Sequence, residues 1–335
     1  MEKTRSASLI ERKTIGKFLL ENNTYVMFIC LFIACSLLSK DFFSWRNIGN
    51  LIRQNSAYTF MVMGMLFVII TGGIDLSVGA MVALGSVGSA YVLTNLGLPV
   101  FLAFILPLAL TTILGLVTGL LVSYAKMASF VASLAMMTMA RGLALVIANG
   151  SPIIVPKGSI EQIATIKLIS ATPELTKTLG EITPLLGLFI LIIVLVFWFI
   201  QKYTSYGRII LAIGSNETAV RLAGINVRAM KTSVYAISGL CSGFAGIIAA
   251  TRTQVGAPVA GMGWELDAIA ACVIGGASLS GGSGTAFKAL VGVFVLALIG
   301  NIMNLLAIPS YPQDIIKGAI IIFAVLLQTK SFKDE

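Results

Sequence analysis

Thr71-Gly72-Gly73-Ile74-Asp75-Leu76-Ser77-Val78-Gly79-Ala80 interrupts an apolar run that extends from Tyr58 to Ile70 and resumes at Val78. Paired glycines, a carboxylate and a hydroxyl stand where an uninterrupted helix would continue. A lone Asp costs about 2.5–3.5 kcal/mol at the middle of an inserted helix, so it needs a cavity, a partner or a solvated end. The break therefore marks a place where a membrane span is shaped for a purpose.

The rest of the chain has a membrane protein's composition. Of its 335 residues 57% are hydrophobic and 11% charged, with a mean hydropathy of +0.97; a soluble domain carries about 25% charged residues. The net charge of +9 is scattered between apolar runs, which is the pattern of topology signals and not of a nucleic-acid surface. Cys30, Cys35, Cys241 and Cys272 lie in apolar runs without CxxC spacing, and the chain has no His. They read as small buried thiols, neither a disulfide nor a metal set.

The expected fold is all-α, a polytopic membrane helix bundle of about ten transmembrane helices with both termini cytoplasmic. Spans are expected at 25–38, 58–70, 78–96, 100–124, 128–149, 183–201, 234–250, 266–279, 287–306 and 313–327. Residues 1–24 form a cytoplasmic tail, 25–327 the permeation domain with a cytoplasmic loop at 202–233, and 328–335 a second cytoplasmic tail. Residues 39–57 mix Phe42, Phe43 and Trp45 with Lys40, Arg46 and Arg53, as an interfacial helix would. Pro107 is expected to kink its span. The longest nonhelical gaps are expected at 150–182 and 202–233.

Basic residues orient this plan. Lys3, Arg5, Arg12, Lys13, Lys17, Lys126, Lys202, Arg208, Arg221, Arg228, Lys231, Lys288, Lys330 and Lys333 fall inside. Lys40, Arg46, Arg53, Lys157, Lys167, Lys177 and Arg252 fall outside, a bias of about two to one for cytoplasmic termini. A faint internal echo relates Gly73-Ile74-Asp75-Leu76 to Trp264-Glu265-Leu266-Asp267, each ahead of a small-residue run, where the two Asp are placed to cap helix N-termini.

In the inner loop, Ser215 or Asn216 is placed to cap a two-turn helix ended by Gly224, with Glu217 four residues before Arg221. The bland reading is a connecting helix with one solvated ion pair; the functional one is a docking knob for a cytoplasmic partner. The run Gly275-Gly276-Ala277-Ser278-Leu279-Ser280-Gly281-Gly282-Ser283-Gly284 lacks the Lys-Ser or Lys-Thr of a phosphate-cradling loop and reads as a tight turn. Gly115 with Gly119, and Gly239 with Gly243, have the spacing that lets helices approach closely. Asp75, Ser77, Arg141, Asn149, Glu265, Asp267, Asn301 and Asn304 are the polar groups at membrane depth, candidates for a translocation path or for helix breaks.

Taken together, Gly72 to Gly79, Arg141-Gly142 with Asn149-Gly150-Ser151-Pro152, the loop from Gly214 to Ile225, Glu265-Leu266-Asp267-Ala268-Ile269-Ala270-Ala271 and the glycine run at 275–284 resemble the permease subunits of bacterial ABC importers for monosaccharides, particularly the ribose-type permeases. The resemblance is collinear from about residue 25 to 327. It implies a multi-pass inner-membrane protein, a homodimer of permease chains, that takes sugar from an extracytoplasmic binding protein and is driven by a cytoplasmic ATP-binding subunit. ATP is then used by that partner, and this chain binds no cofactor, no metal and no nucleic acid. Membrane lipid is its other contact. Asn216, Glu217, Arg221 and Gly224 match the family's ATPase-coupling helix.

An ion-coupled secondary sugar transporter is the alternative; it wants a proton or cation site, and no close pair of carboxylates lies within one span. An intramembrane enzyme would want a nucleophile and base, and neither a GxSxG elbow nor HExxH occurs.

Overall fold

The computed structural model describes residues 22–155 and 185–331. The expected N-terminal tail up to residue 21, residues 156–184 of the outer gap and the last four residues lie outside the described residues. Among the described residues the helices are α1 (Asn23–Leu38), α2 (Trp45–Ile70), α3 (Val78–Thr94), α4 (Val100–Ser123), α5 (Ser129–Ile147), α6 (Leu185–Tyr203), α7 (Ser205–Leu222), α8 (Val227–Thr253), α9 (Trp264–Ile274), α10 (Ala286–Leu305) and α11 (Ser310–Ser331). The fold is thus an α-helical membrane bundle, with one addition that the all-α expectation lacked. Two-residue strands β1 (Ile153–Ile154) and β2 (Val255–Gly256) pair antiparallel, Ile153 opposite Gly256. By length and apolarity α4, α5, α8 and α10 are able to cross a membrane, and α6 with α7, bent by 74°, make a fifth candidate if they form one broken span.

The core sits along α2. From Ala57 to Ile70 nearly every residue is buried, Met61 to Met63 and Met65 to Ile70 completely so. A helix apolar all round must be surrounded, and α8, α9, α10 and α6 surround it. By contrast α4 and α5 turn Phe101, Ile113, Leu116, Phe130, Met139 and Val146 outward. Such apolar rows would be a liability in water and are what hydrocarbon requires.

Glycines set the closest helix crossing. A Cβ on Gly115 would stand 3.1 Å from Gly239 Cα, and one on Gly119 would stand 2.7 Å from the Thr232 carbonyl oxygen. A Cβ on Gly243 would meet Thr111 Oγ1. The expected close approach is therefore that of α4 on α8. Pro107 lies inside an unbroken α4, with its ring over Gly88.

Two expectations about the connections are corrected. The segment 39–57 is not a separate interfacial helix: the Ser44 side chain accepts from the Asn47 amide and starts a single helix that runs to Ile70. Nothing between Trp45 and Ile70 stops it; Phe42 is buried beside Cys35 and Leu298, while Phe43 and Trp45 stay exposed. The gap 202–233 is largely helical as well. Thr204 caps α7 through the Gly207 amide and Asn226 caps α8 through the Ala229 amide. Local capping chemistry outweighs the polarity of that stretch. Of the four thiols, all free, Cys30 is exposed on α1 and only the other three are buried.

Candidate functional site

The break opened at Gly72 is an extended stretch between α2 and α3. Gly72 has φ +77°, a conformation that leaves a side chain strained. Ile74 is held on both sides by α5: its amide donates to Ser129 Oγ at 3.3 Å and its carbonyl accepts from Ser133 Oγ at 3.3 Å. Asp75 then turns inward and is completely buried. Its carboxylate accepts from the Ser77 amide at 3.0 Å, Ser77 Oγ at 2.5 Å and Ser238 Oγ at 2.8 Å. Ser238 lies eleven residues into α8 from Val227, about 17 Å along its axis at 1.5 Å per residue. The charge is therefore deep in the bundle. Of the three means of compensation, it is partners that serve: two hydroxyls and one amide offset its cost.

Of the two expected acidic caps, Asp75 receives the amide of Ser77, the residue that precedes α3. Asp267 caps nothing, since α9 starts from Gly263 without a side-chain cap. The echoed segments nonetheless meet. A Cβ on Gly79, in the first turn of α3, would collide with the Glu265 carboxylate and the Gly261 carbonyl oxygen. Arg141 stands across this junction without pairing to Asp75. Its Nη1 donates to the carbonyls of Pro258 and Ala260, each at 2.8 Å, tying α5 to the link that precedes α9. Glu265 Oε2 is buried and has no hydrogen bond among the described residues.

Asp267, Asn301 and Asn304 gather elsewhere, around a recess of about 280 Å³ bounded by α2, α8, α9, α10 and α11. Asn149 joins none of these groups: it closes α5 at φ +48° and is exposed.

The loop residues lie as their spacing suggests, with one exchange of partners. Asn216 leaves helical geometry (φ −157°, ψ 91°) and its Oδ1 accepts from the Ala219 amide at 3.0 Å, starting a short helix inside α7. Gly224 ends it at φ +80°. Glu217, however, pairs with Lys231 at 2.6 Å and not with Arg221, because α8 folds back alongside. Arg221 stays exposed.

This short helix and the transmembrane break share packing. A Cβ on Gly214 would meet the Ile70 carbonyl oxygen and the Gly282 amide; one on Gly281 would stand 2.9 Å from both Gly72 N and Gly214 Cα. The Gly282 amide donates to the Ile70 carbonyl at 2.9 Å. The glycine run thus lies between the end of α2 and the last turn before Asn216, with Gly276, Gly281, Gly282 and Gly284 all at positive φ. Gln201 fastens its far end, its Oε1 accepting from the Ala286 amide at 2.9 Å. A cavity of about 620 Å³ adjoins the same place, lined from the break by Gly72 and Gly73 and from the loop by Glu217, Arg221, Arg228 and Lys231.

Sequence reasoning missed Ser129, Ser133 and Ser238, which hold the break, and Gly214, which carries the contact. Isolated serines in apolar helices are the available signal, since each needs a polar neighbour at membrane depth.

Comparisons with known proteins agree along nearly the whole chain. Residues 47–325 match the family described as branched-chain amino acid transport system / permease component. The ribose import permease protein of Haemophilus influenzae is 39% identical over 318 residues, 93% of this chain and 94% of its own. That of Bacillus subtilis is 40% identical over 300 residues, 90% of each chain. The xylose transport system permease protein of Escherichia coli K12 is 34% identical over 359 aligned positions, 90% of this chain and 91% of its own. No solved structure matches significantly.

Proposed function

The chain belongs to the family of permease components of transport systems matched over residues 47–325, as a ribose-type ABC import permease, and from that membership we propose that it carries a monosaccharide, a pentose such as ribose first, across the bacterial inner membrane. The observation that carries this reading is the collinear identity to ribose and xylose permeases over nine-tenths of the chain. Sugar arrives on an extracytoplasmic binding protein, and ATP is hydrolysed on a separate cytoplasmic subunit. Two copies of this chain enclose the path. It is an integral, multi-pass protein with ten spans and both termini inside, which the basic-residue bias supports. Residues 1–24 and 328–335 are tails on the permeation domain, and 202–233 is its coupling region.

The coupling step uses the short helix from Asn216 to Gly224. Its exposed Arg221 and Glu217 meet the ATPase, and its anchoring turn at Gly214 bears on the glycine run and on Ile70. Movement of the docked helix then reaches the break at Gly72 through backbone contacts only, with no side chain between to absorb it. Asp75, Ser77, Arg141 and Glu265 hold the shape of the broken helix, and Ser238 keeps its charge satisfied.

Copurification tests the assembly. The chain expressed with its neighbouring transport subunits should bring down an ATPase and a second permease copy, and the binding protein should retain a monosaccharide identifiable by mass spectrometry. Active chain purified alone that accumulates sugar on an ion gradient would reverse the assignment to the ion-coupled alternative.

A further inference from the structure

The recess that gathers Asp267, Asn301 and Asn304 also presents Tyr58, Arg252 and Trp264. Tyr58 meets Trp264 edge to face, with ring centroids 5.6 Å apart and planes at 79°. Tyr58 is 8% exposed, and its hydroxyl has no hydrogen bond among the described residues. Buried phenols nearly always have a partner, so an unpaired one lining a cavity points to a ligand that supplies it.

The amides on the opposite wall are positioned but not saturated. Asn301 exchanges two hydrogen bonds with Asn47, at 3.0 and 2.8 Å, which fix its plane. Asn304 Oδ1 accepts from Gln313 Nε2 at 2.9 Å, and its NH₂ makes no hydrogen bond among the described residues.

The chemistry of the wall selects the class of ligand. A free cation is disfavoured by Arg252 and Lys317, and Asp267 offsets part of their attraction for an anion, all three lining the same recess. An apolar ligand would leave the Tyr58 hydroxyl, the Asn304 amide and the Asp267 carboxylate unanswered. A neutral polyol answers each of them: every hydroxyl both donates and accepts, and the C–H face of a sugar ring rests against an aromatic surface. The volume of about 280 Å³ lies near the lower end of small-molecule sites, about 300 Å³, which fits one sugar ring and not an oligosaccharide.

We propose that this recess is a monosaccharide subsite within the permease, contacted by the cargo after it leaves the binding protein, with Tyr58, Asp267 and Asn304 donating or accepting and Trp264 bearing the ring face. It rests on the reading of the chain as a sugar permease and adds that the permease itself discriminates between sugars. Few polar contacts keep it weak enough to release its cargo.

The test uses the whole importer, with ATPase and binding protein, in proteoliposomes supplied with labelled D-ribose and D-xylose at concentrations that saturate the binding protein. Tyr58→Phe, Asp267→Asn and Asn304→Ala should each lower the maximal uptake rate or change the ribose-to-xylose ratio by about five-fold, the scale of one lost hydrogen bond. Binding-protein-stimulated ATP hydrolysis should persist, and Tyr25→Phe, an exposed tyrosine of α1 outside the recess, should leave rate and ratio unchanged. As a direct readout, Trp264 fluorescence in a Trp45→Phe/Trp198→Phe background should respond to millimolar D-ribose and lose that response with Asn304→Ala. Wild-type rates and ratios in all three recess variants, or a Trp264 signal indifferent to sugar, would overturn the subsite. Uptake of neither pentose by the wild-type importer would overturn the sugar reading beneath it.

Discussion

At the scale of single residues, Asp75 and Arg141 show two ways of keeping a charge inside an apolar bundle, and neither uses the other as counter-ion. Asp75 takes three hydrogen bonds from two serines, and Arg141 gives two to main-chain carbonyls. Both therefore fix backbone: one the start of α3, the other the link into α9. Asp75→Ala would leave the Ser77 amide and two hydroxyls without acceptors, at a cost of about 1–3 kcal/mol, and should be measurable as a lower apparent melting temperature. Asp75→Asn keeps an acceptor for Ser77 and a partner for Ser238. It should reduce uptake more than it reduces folded yield on size-exclusion chromatography; equal losses would assign the residue to architecture alone. That a costly residue stood at 75 was legible in the sequence, because an acidic group inside an apolar run must be compensated. Its compensation was not legible, since Ser238 lies 163 positions away and a serine by itself announces no partner.

At the scale of elements, the coupling segment was the most readable part. Asn216 as cap and Gly224 as stop follow from local capping rules, and both geometries are present. The exchange of Arg221 for Lys231 as the partner of Glu217 depends on α8 folding back, which no i, i+4 count contains. The contact of Gly214 with Gly282 and Ile70 is likewise a tertiary fact. It makes a sharp expectation: Gly282→Val, placed at φ +78° against Ser215, should separate the coupling helix from the break. ATP hydrolysis by the assembled complex should continue while sugar uptake falls, about ten-fold or more for a contact worth about 1.4 kcal/mol in the transport step. Gly224→Pro or Arg221→Glu should act earlier and weaken recovery of the ATPase with the permease on affinity pulldown, with membrane insertion intact. Normal ATPase recovery and normal uptake in both would contradict the docking role.

At the scale of the whole molecule, composition alone placed the chain in a membrane, and the outward apolar rows of α4 and α5 match that solvent. The distribution of lysine and arginine supports the proposed direction, with both termini inside. A Lys126→Cys variant, with Cys30 replaced by Ser, should react with an impermeant maleimide only when the inner face is exposed, and Leu98→Cys only from the outside; the reverse pattern would invert the topology. Helix boundaries followed apolar runs closely for α3, α4 and α10. They failed at 39–57 and 202–233, where polar residues belong to helices held by Ser44, Thr204 and Asn226 caps. Polarity suggests a nonhelical gap at 202–233 and a separate interfacial helix at 39–57, and in both places the caps let longer helices run through it. On the proposed function, this bundle moves a monosaccharide only when its coupling segment is driven by ATP on a partner subunit. The most direct test is uptake of labelled D-ribose into proteoliposomes that contain the chain with its ATPase and receive binding protein outside and ATP inside. Uptake should require ATP and binding protein together and be unaffected by collapsing proton and sodium gradients; uptake that persists without ATP and vanishes with those gradients would contradict the account.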